Sequence, residues 1–244
     1  MLTHLAKSTL FGKRMQTLFE VPCTAGVPDV VFVHFDDVAL TQRADRSTLA
    51  DLAEVRVMMA AAQSRSWATK TWTVDDMATV VDLTPTHLRR SVLPRLVAGG
   101  HLEKTGADWR TTYRFRSLAK RIVTVEAKLR DWRGAVAQAS RHTSVADAAW
   151  VAIDAASGRA AANNPQWFFT YGVGLATVSS DGSVLPLIKP SEPRPRPVER
   201  ELLAERTAGL YLTGRVSGDI PQVFGKTLLA TTGSDPRLAD APAH

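Results

Sequence analysis

Short runs of β-branched and other apolar residues occur before position 35 and after position 120, and such runs predict β-strands. The longest run, 121–128, places Glu126 and Lys128 on one face and Val125 on the other, because side chains alternate along a strand. Further strands are predicted at 17–23, 29–33, 148–153, 172–178 and 184–188. We expect these runs to be the strands of an α/β unit.

The middle of the chain has a different pattern. Apolar residues at helical spacing predict three consecutive helices, at 47–64, 73–81 and 85–98. Ser47, Thr73 and Thr84 stand at their starts, where a hydroxyl side chain can accept a hydrogen bond from a free backbone N–H group.

A predicted hairpin follows the third helix. Strand-like runs at 101–105 and 111–116 flank a turn at Gly106. Pro94 lies inside the helix and should kink it, because proline donates no backbone hydrogen bond. Three helices followed by a hairpin, with a basic third helix, resemble a winged helix-turn-helix domain, which we assign to residues 46–117.

Helices are also predicted outside the middle of the chain, at 2–16, 132–142, 160–169 and 198–208. Asp131 immediately precedes the second of these and is suited to cap it. The prolines of 190–197 predict an extended linker. The remainder of the chain has no clear pattern, so we treat 191–244 as a linker and C-terminal extension.

The composition is that of an ordinary globular protein, with 244 residues of which 45% are hydrophobic and 22% are charged. The single cysteine excludes an intrachain disulfide and a cysteine zinc cluster. No apolar run approaches the ~18 residues that a membrane span requires, and the N-terminus lacks the apolar core of a signal peptide. We therefore expect a soluble, cytoplasmic protein that does not contact a membrane.

The charge of the chain favours a polyanionic partner, since the formal net charge is +6 and the sequence pI is about 9.8. In a winged helix-turn-helix domain, the third helix enters the major groove of double-stranded DNA and the hairpin contacts its backbone. The residues expected to contact DNA are Thr86, His87, Arg89, Arg90, Arg95, Arg110 and Arg114. The alternative is a winged helix that binds proteins and whose arginines are solvated.

Three charged residues in the predicted strands are the candidates for chemistry. Asp29 stands at the start of the second strand, and Glu126 and Lys128 share one face of a later strand. A carboxylate beside an ammonium group on a half-buried strand is costly to desolvate, so such groups are usually paired, exposed or functional. The structural alternative is an ordinary ion pair at a strand end.

The order Pro-Asp, then Glu-Ala-Lys, then a helix resembles the PD-(D/E)xK nuclease superfamily. This resemblance implies that Asp29, Glu126 and the backbone carbonyl of Ala127 bind Mg²⁺ or Mn²⁺. It also implies that Lys128 orients or activates the attacking water. Mg²⁺ prefers oxygen ligands and keeps several waters, so two carboxylates and a carbonyl suit it.

The helix after the Glu-x-Lys strand extends the resemblance. Gln138 matches a glutamine that one branch of the family carries there, which implies a catalytic role for it. His142 lies four residues further on, where that branch has a tyrosine. The first helix of the family often carries a glutamate near the metal, whereas no acidic residue precedes Glu20 in this chain. Glu20 lies on a predicted strand, from which it can reach the site.

The resemblance implies an α/β fold with a restriction-endonuclease-like mixed sheet flanked by helices. Its discontinuous core would span 1–45 and 118–190, with the winged helix-turn-helix domain inserted between them. The implied function is metal-dependent hydrolysis of DNA phosphodiester bonds. The alternatives are a DNA-binding transcriptional regulator with a catalytically inactive core and a scaffold whose winged helix binds proteins. A homodimer would suit a two-fold DNA site.

Overall fold

The computed structural model describes residues 1–62 and 66–217. The end of the first predicted middle helix and most of the predicted C-terminal extension lie outside these residues. The described chain has an α/β fold in which a mixed sheet is flanked by helices, as predicted. In this part of the chain, no helix is both long and apolar enough to cross a membrane.

The regular elements of the described residues are as follows. The helices are α1 Leu2–Lys7, α2 Asp37–Gln42, α3 Leu52–Ala62, α4 Val74–Val81, α5 Pro85–His87, α6 Leu93–Ala98, α7 Trp132–His142, α8 Ala155–Ala162, α9 Pro165–Tyr171 and α10 Pro197–Leu212. The strands are β1 Gln16–Phe19, β2 Val30–Phe35, β3 Leu102–Thr105, β4 Asp108–Thr111, β5 Ala119–Lys128, β6 Ala148–Asp154, β7 Gly174–Val178 and β8 Val184–Ile188.

The main sheet of the described residues has six strands in the order β1-β2-β5-β6-β7-β8. Neighbours β5, β6 and β7 run parallel, whereas β1 with β2, β2 with β5, and β7 with β8 are antiparallel pairs. In the pairing of β2 with β5, Val30 lies opposite Val125. The residue that precedes Val30 therefore lies beside Glu126, although the two are far apart in the sequence.

Different helices cover the two faces of the sheet. Helix α1 packs on the face that includes Phe32, Val125 and Ala127. Helices α7 to α10 pack on the opposite face. Glu126 faces α7, where it contacts His142, so the predicted alternation of β5 is confirmed.

Helices α3, α4 and α6, together with Leu88 and Val92, pack with the β3–β4 hairpin around one buried cluster. As predicted, Thr73 caps α4 by accepting a hydrogen bond from the Asp76 N–H at 3.1 Å. Thr84 likewise caps α5 by accepting from the His87 N–H at 3.2 Å. These elements form a small helical unit between β2 and β5 in the sequence, which we call the helical unit.

The first helix of this unit begins five residues later than predicted. Asp51 accepts a hydrogen bond from the Glu54 N–H at 3.0 Å and takes the capping position expected of Ser47. A tertiary contact holds the preceding segment outside the helix, because the Leu49 N–H donates to Glu205 Oε2 at 3.0 Å.

The helix predicted at 85–98 contains a π-helical segment, Leu88–Val92, between α5 and α6. The Leu93 N–H bonds to the Leu88 carbonyl five residues earlier, and Pro94 follows directly. The wider turn accommodates the proline, which has no N–H group to donate. The irregularity predicted at Pro94 is thus a π-helical segment.

Strand β4 of the hairpin begins earlier than predicted. Thr105 pairs with Asp108, so the turn contains only Gly106 and Ala107, and Gly106 has a φ of +66° that favours glycine. The residues just beyond β4 leave the hairpin and return to the core of the helical unit, where Tyr113 is buried.

Helix α10 is longer than the predicted 198–208 helix and packs against two parts of the protein. Leu202 joins the core of the helical unit. Leu203 and Ala204 join the core beneath β2 and β5. The first part of segment 191–244 is therefore packed against both the sheet and the helical unit.

Candidate functional site

Two sheet strands bring Asp29, Glu126 and Lys128 together. Asp29 lies immediately before β2, and its Oδ2 accepts a hydrogen bond from the Ala127 N–H at 2.7 Å. The Lys128 Nζ lies 3.5 Å from Asp29 Oδ2 and 3.6 Å from Glu126 Oε2. A period-two strand pattern and an antiparallel register are sufficient to produce this arrangement.

The three side chains differ in their access to solvent. The side chain of Glu126 is 3% exposed, whereas those of Asp29 and Lys128 are 17% and 31% exposed. The cluster therefore has a buried carboxylate at its base and an ammonium group at its open side. A polar substrate can approach from the side of Lys128.

The electrostatics of the cluster are dominated by its two neighbouring carboxylates. Burial, and then the negative charge of Asp29, raise the pKa of Glu126 to about 8, while Lys128 acts in the opposite direction. Without a further cation, this shift favours the protonated form of Glu126. A bound cation would favour its charged form.

Glu20 lies next to Asp29. The backbone N–H of Glu20 donates to the Asp29 carbonyl at 3.3 Å, and Glu20 has an unusual φ of 51°. Burial, and then Asp29, raise the pKa of its carboxyl group. Its Oε2 is buried and has no hydrogen-bond partner among the described residues. The structure thus places a third carboxyl group near the cluster.

Helix α7 contributes the remaining polar groups near Glu126. Asp131 caps this helix as predicted, accepting a hydrogen bond from the Gly134 N–H at 2.9 Å. His142 is buried and its Nδ1 lies 3.5 Å from Glu126 Oε1, although this contact makes no hydrogen bond. Burial, and then Arg141, lower the pKa of His142 to about 4, so its ring is neutral at neutral pH.

Gln138 lies one turn before His142 on the same side of α7. Its residue is half-buried, and its Oε1 is buried without a hydrogen-bond partner in the described part of the chain. An unpaired buried amide oxygen is costly, and such a group usually has a ligand or a water as its partner. The Gln138 Oε1 therefore still requires a partner, for which a buried water is sufficient.

The donor atoms of the cluster suit a hard divalent cation. Asp29 and Glu126 supply carboxylate oxygens, and the Ala127 carbonyl faces the side of Asp29 because the N–H and C=O of one strand residue point the same way. Oxygen donors of this kind are what Mg²⁺ and Mn²⁺ prefer. Among the residues that the structure describes, no three His, Cys, Asp or Glu side chains are grouped closely enough to hold a metal ion by themselves.

The predicted DNA-binding residues of the third helix are all exposed, but they differ in their partners. Thr86 carries no charge, and His87 and Arg90 form no ion pair with any described residue. Arg89 contacts Asp75 at a distance of 3.8 Å. These side chains are available to a ligand. The remaining one, Arg95, has its guanidinium hydrogen-bonded to two acidic side chains, those of Asp51 and Glu54.

The two arginines predicted on the hairpin also differ. Arg110 forms an ion pair with Glu103 on the facing strand at 2.6 Å. Arg114 lies beyond β4, is exposed, and forms no ion pair with any described residue. Arg114 is therefore the more available cation of the two.

Two residues near the Asp29 segment, Cys23 and Arg206, have no signal in the sequence. Burial raises the pKa of the Cys23 thiol, and both Arg206 and Glu126 are close enough to influence it. Arg206 of α10 donates to the Pro22 carbonyl at 2.8 Å. The sequence predicts a helix there, but no local pattern indicates that this helix passes close to the Asp29 segment.

Comparison of the chain with family models, curated proteins and solved structures finds no match.

Proposed function

We propose that the chain is a DNA-binding protein with a metal-dependent, endonuclease-like centre that hydrolyses phosphodiester bonds. The observation that carries the proposal is the meeting of Asp29, Glu126 and Lys128 at one partly open position of the sheet. In this proposal the sheet is restriction-endonuclease-like, and residues 46–117 are a winged helix-turn-helix domain inserted into it.

Each group in the cluster has a defined task. Asp29, Glu126 and the Ala127 carbonyl would hold Mg²⁺ or Mn²⁺. When bound, such an ion polarises a phosphate oxygen and lowers the pKa of water. The Lys128 ammonium orients the attacking water and stabilises negative charge that develops on the phosphate. Gln138 offers its free amide oxygen to the same water or to a substrate donor.

The helical unit supplies the contacts that hold DNA. Thr86 and His87 lie at the start of the third helix, from which side chains reach base edges in the major groove. Arg89, Arg90 and Arg114 are exposed and suited to phosphate contacts. A homodimer would present two such units to a two-fold DNA site.

A second function is favoured by one observation. The ammonium of Lys128 already contacts both Asp29 and Glu126. The Ala127 N–H also donates a hydrogen bond to Asp29 Oδ2. A cluster neutralised in this way is compatible with an inactive centre. The protein would then be a winged-helix transcriptional regulator that binds DNA without cutting it.

Cleavage of DNA in the presence of a divalent cation separates these two functions. Supercoiled plasmid and branched DNA are incubated with the protein and Mg²⁺ or Mn²⁺, with a chelator in parallel. Hydrolysis predicts nicked or linear products only with the cation, and their loss in Asp29→Asn. Binding of the same DNA without any product under all these conditions contradicts the hydrolytic proposal and supports the regulator.

A further inference from the structure

Helix α9 exposes two aromatic rings beside a small cavity. Trp167 is 38% exposed and Tyr171 is 45% exposed. Together with Gln166 and Thr170, they line a cavity of about 190 Å³. The four residues share one side of the helix, since positions three and four apart are neighbours on its surface. A cluster of large, solvent-exposed aromatic side chains commonly marks a binding surface.

The rings are held in place by a buried aromatic base. Trp167 packs edge-on against Trp132 with ring centroids 6.0 Å apart and an interplanar angle of 85°. Trp132 in turn stacks on the fully buried Phe168 at 6.1 Å. The ring of Tyr171 lies 6.2 Å from that of Trp167. Rings fixed in this way lose little further freedom when a planar ligand binds them.

A positive charge one aromatic ring away from the cavity favours an anionic ligand. The guanidinium carbon of the exposed Arg133 lies 4.7 Å from the centroid of the Trp132 ring. The described side chains that line the cavity include no carboxylate. Aromatic faces, an amide, a hydroxyl and a neighbouring guanidinium match the parts of a nucleotide, whose base stacks and whose phosphate accepts hydrogen bonds.

The cavity also lies near the proposed centre along the chain. Trp132 follows Lys128 by four residues. This stretch spans at most roughly 14 Å even when fully extended. Trp132 packs against Trp167, so a strand bound at Lys128 can reach the cavity within a few nucleotides.

We propose that the cavity lined by Trp167 and Tyr171 binds an unpaired nucleobase of a nucleic-acid strand, stacked on an exposed ring face. The DNA taken by the protein then carries a single-stranded segment or a displaced base beside the point of attack. The placement relative to the centre rests on the proposed function, whereas the binding of the base rests on the cavity itself. Stacking on aromatic side chains tolerates any base, so the cavity recognises the unpaired state rather than a sequence.

Binding of two matched DNA ligands tests this inference. Fluorescence anisotropy is measured with a blunt duplex and with the same duplex carrying a single-stranded tail, in a chelator so that no cleavage occurs. Wild-type protein binds the tailed duplex more tightly. Trp167→Leu weakens binding of the tailed duplex by about 5- to 150-fold, the range expected for loss of one stacked base, and leaves the blunt duplex unaffected.

Phe169→Leu is the matched control, because Phe169 is 68% exposed on the same helix but does not line the cavity. It retains the preference for the tail. Tyr171→Leu provides a second variant if Trp167→Leu lowers the melting temperature. Equal affinity of the wild type for both ligands overturns the inference, as does equal loss in Trp167→Leu and Phe169→Leu. A Trp167-dependent preference, combined with no product in the separate plasmid-cleavage assay with Mg²⁺ or Mn²⁺, supports the cavity and contradicts only the hydrolytic proposal.

Discussion

The guanidinium of Arg43 and the carboxylate of Glu205 form a buried, two-pronged ion pair, with Nη1–Oε1 and Nη2–Oε2 distances of 2.8 and 2.9 Å. Their side chains are 3% and 1% exposed. Glu205 also accepts the Leu49 N–H, so one carboxylate of α10 binds the end of α2 and the segment that leads into α3. This contact joins the end of α2, the segment that enters the helical unit, and the C-terminal helix.

Removal of one partner of this pair should destabilise the whole fold. Glu205→Ala leaves the charged Arg43 buried without a counter-ion, which costs about 3–5 kcal/mol of unfolding free energy. Urea unfolding followed by circular dichroism measures the loss. Glu103→Ala is the control, because it removes the exposed pair with Arg110 and should cost less than about 1 kcal/mol. Similar losses in the two variants would contradict this role.

The two buried imidazole rings, His101 and His142, should contribute stability that is lost as the pH is lowered from about 6.5 to about 4, whereas Glu126, whose pKa is raised, contributes in the opposite direction. Burial, and then Arg43, lower the pKa of His101 to about 4, and His142 has a similarly lowered pKa. In the unfolded chain these rings take up protons as the pH falls through about 6.5, whereas in the folded chain they stay neutral until about pH 4. Their contribution to the unfolding free energy is therefore fully present above about pH 6.5 and decreases below it. Each ring contributes up to about 1.4 kcal/mol per pH unit in this window.

His101→Gln tests this pH dependence, because glutamine can still bond to Tyr113, which lies 3.1 Å from His101 Nδ1. Urea unfolding is repeated between pH 7 and pH 4.5 for both proteins. In a plot of unfolding free energy against pH, the variant should lose about half of the slope that the two buried rings contribute. An unchanged slope would mean that His101 does not resist protonation in the folded state.

Binding of duplex DNA should depend on the unpaired arginines of the helical unit. Arg90→Ala and Arg114→Ala should each weaken binding across sequences and reduce the dependence of log affinity on log salt by about one. Arg95→Ala provides the comparison, because Asp51 and Glu54 already hold that guanidinium. It should affect affinity less than the other two. Unchanged affinity in Arg90→Ala and Arg114→Ala at moderate salt would contradict DNA binding by this unit.

Binding of a divalent cation should require Asp29. Titration of Mn²⁺ followed by electron paramagnetic resonance should show saturable binding to the wild type and at least about 10-fold weaker binding to Asp29→Asn. Asp37→Asn is the control, since Asp37 is an exposed carboxylate beyond the other end of β2. Equal binding by the two variants would place the cation elsewhere.

The local parts of this structure could be predicted from the sequence because their causes are local. Strand alternation fixes the shared face of Glu126 and Lys128. The caps Thr73 and Thr84 act on N–H groups three residues away. The proximity of Asp29 to Glu126 follows from the resemblance rather than from any local pattern, and the register of β2 with β5 provides its physical basis.

Other features depend on contacts between distant residues and carry no local signal. Ser47 and Asp51 are both good capping residues, and α3 begins after Asp51 because Glu205 holds the intervening Leu49 N–H. The path of α10 beside Cys23 is set by packing of apolar residues such as Leu203 under the sheet. Such tertiary placement is invisible to periodicity, which reports only which side of an element is apolar.

The central claim is that Lys128 belongs to a hydrolytic centre, and single-turnover cleavage of one defined DNA tests it most directly. Wild type, Lys128→Ala and Lys120→Ala are compared in saturating Mg²⁺ or Mn²⁺, Lys120 being an exposed lysine on the same strand. The cleavage rate should fall by about 10²–10³-fold in Lys128→Ala, with DNA affinity retained, and should be unchanged in Lys120→Ala. Equal rates in the two variants would contradict the claim.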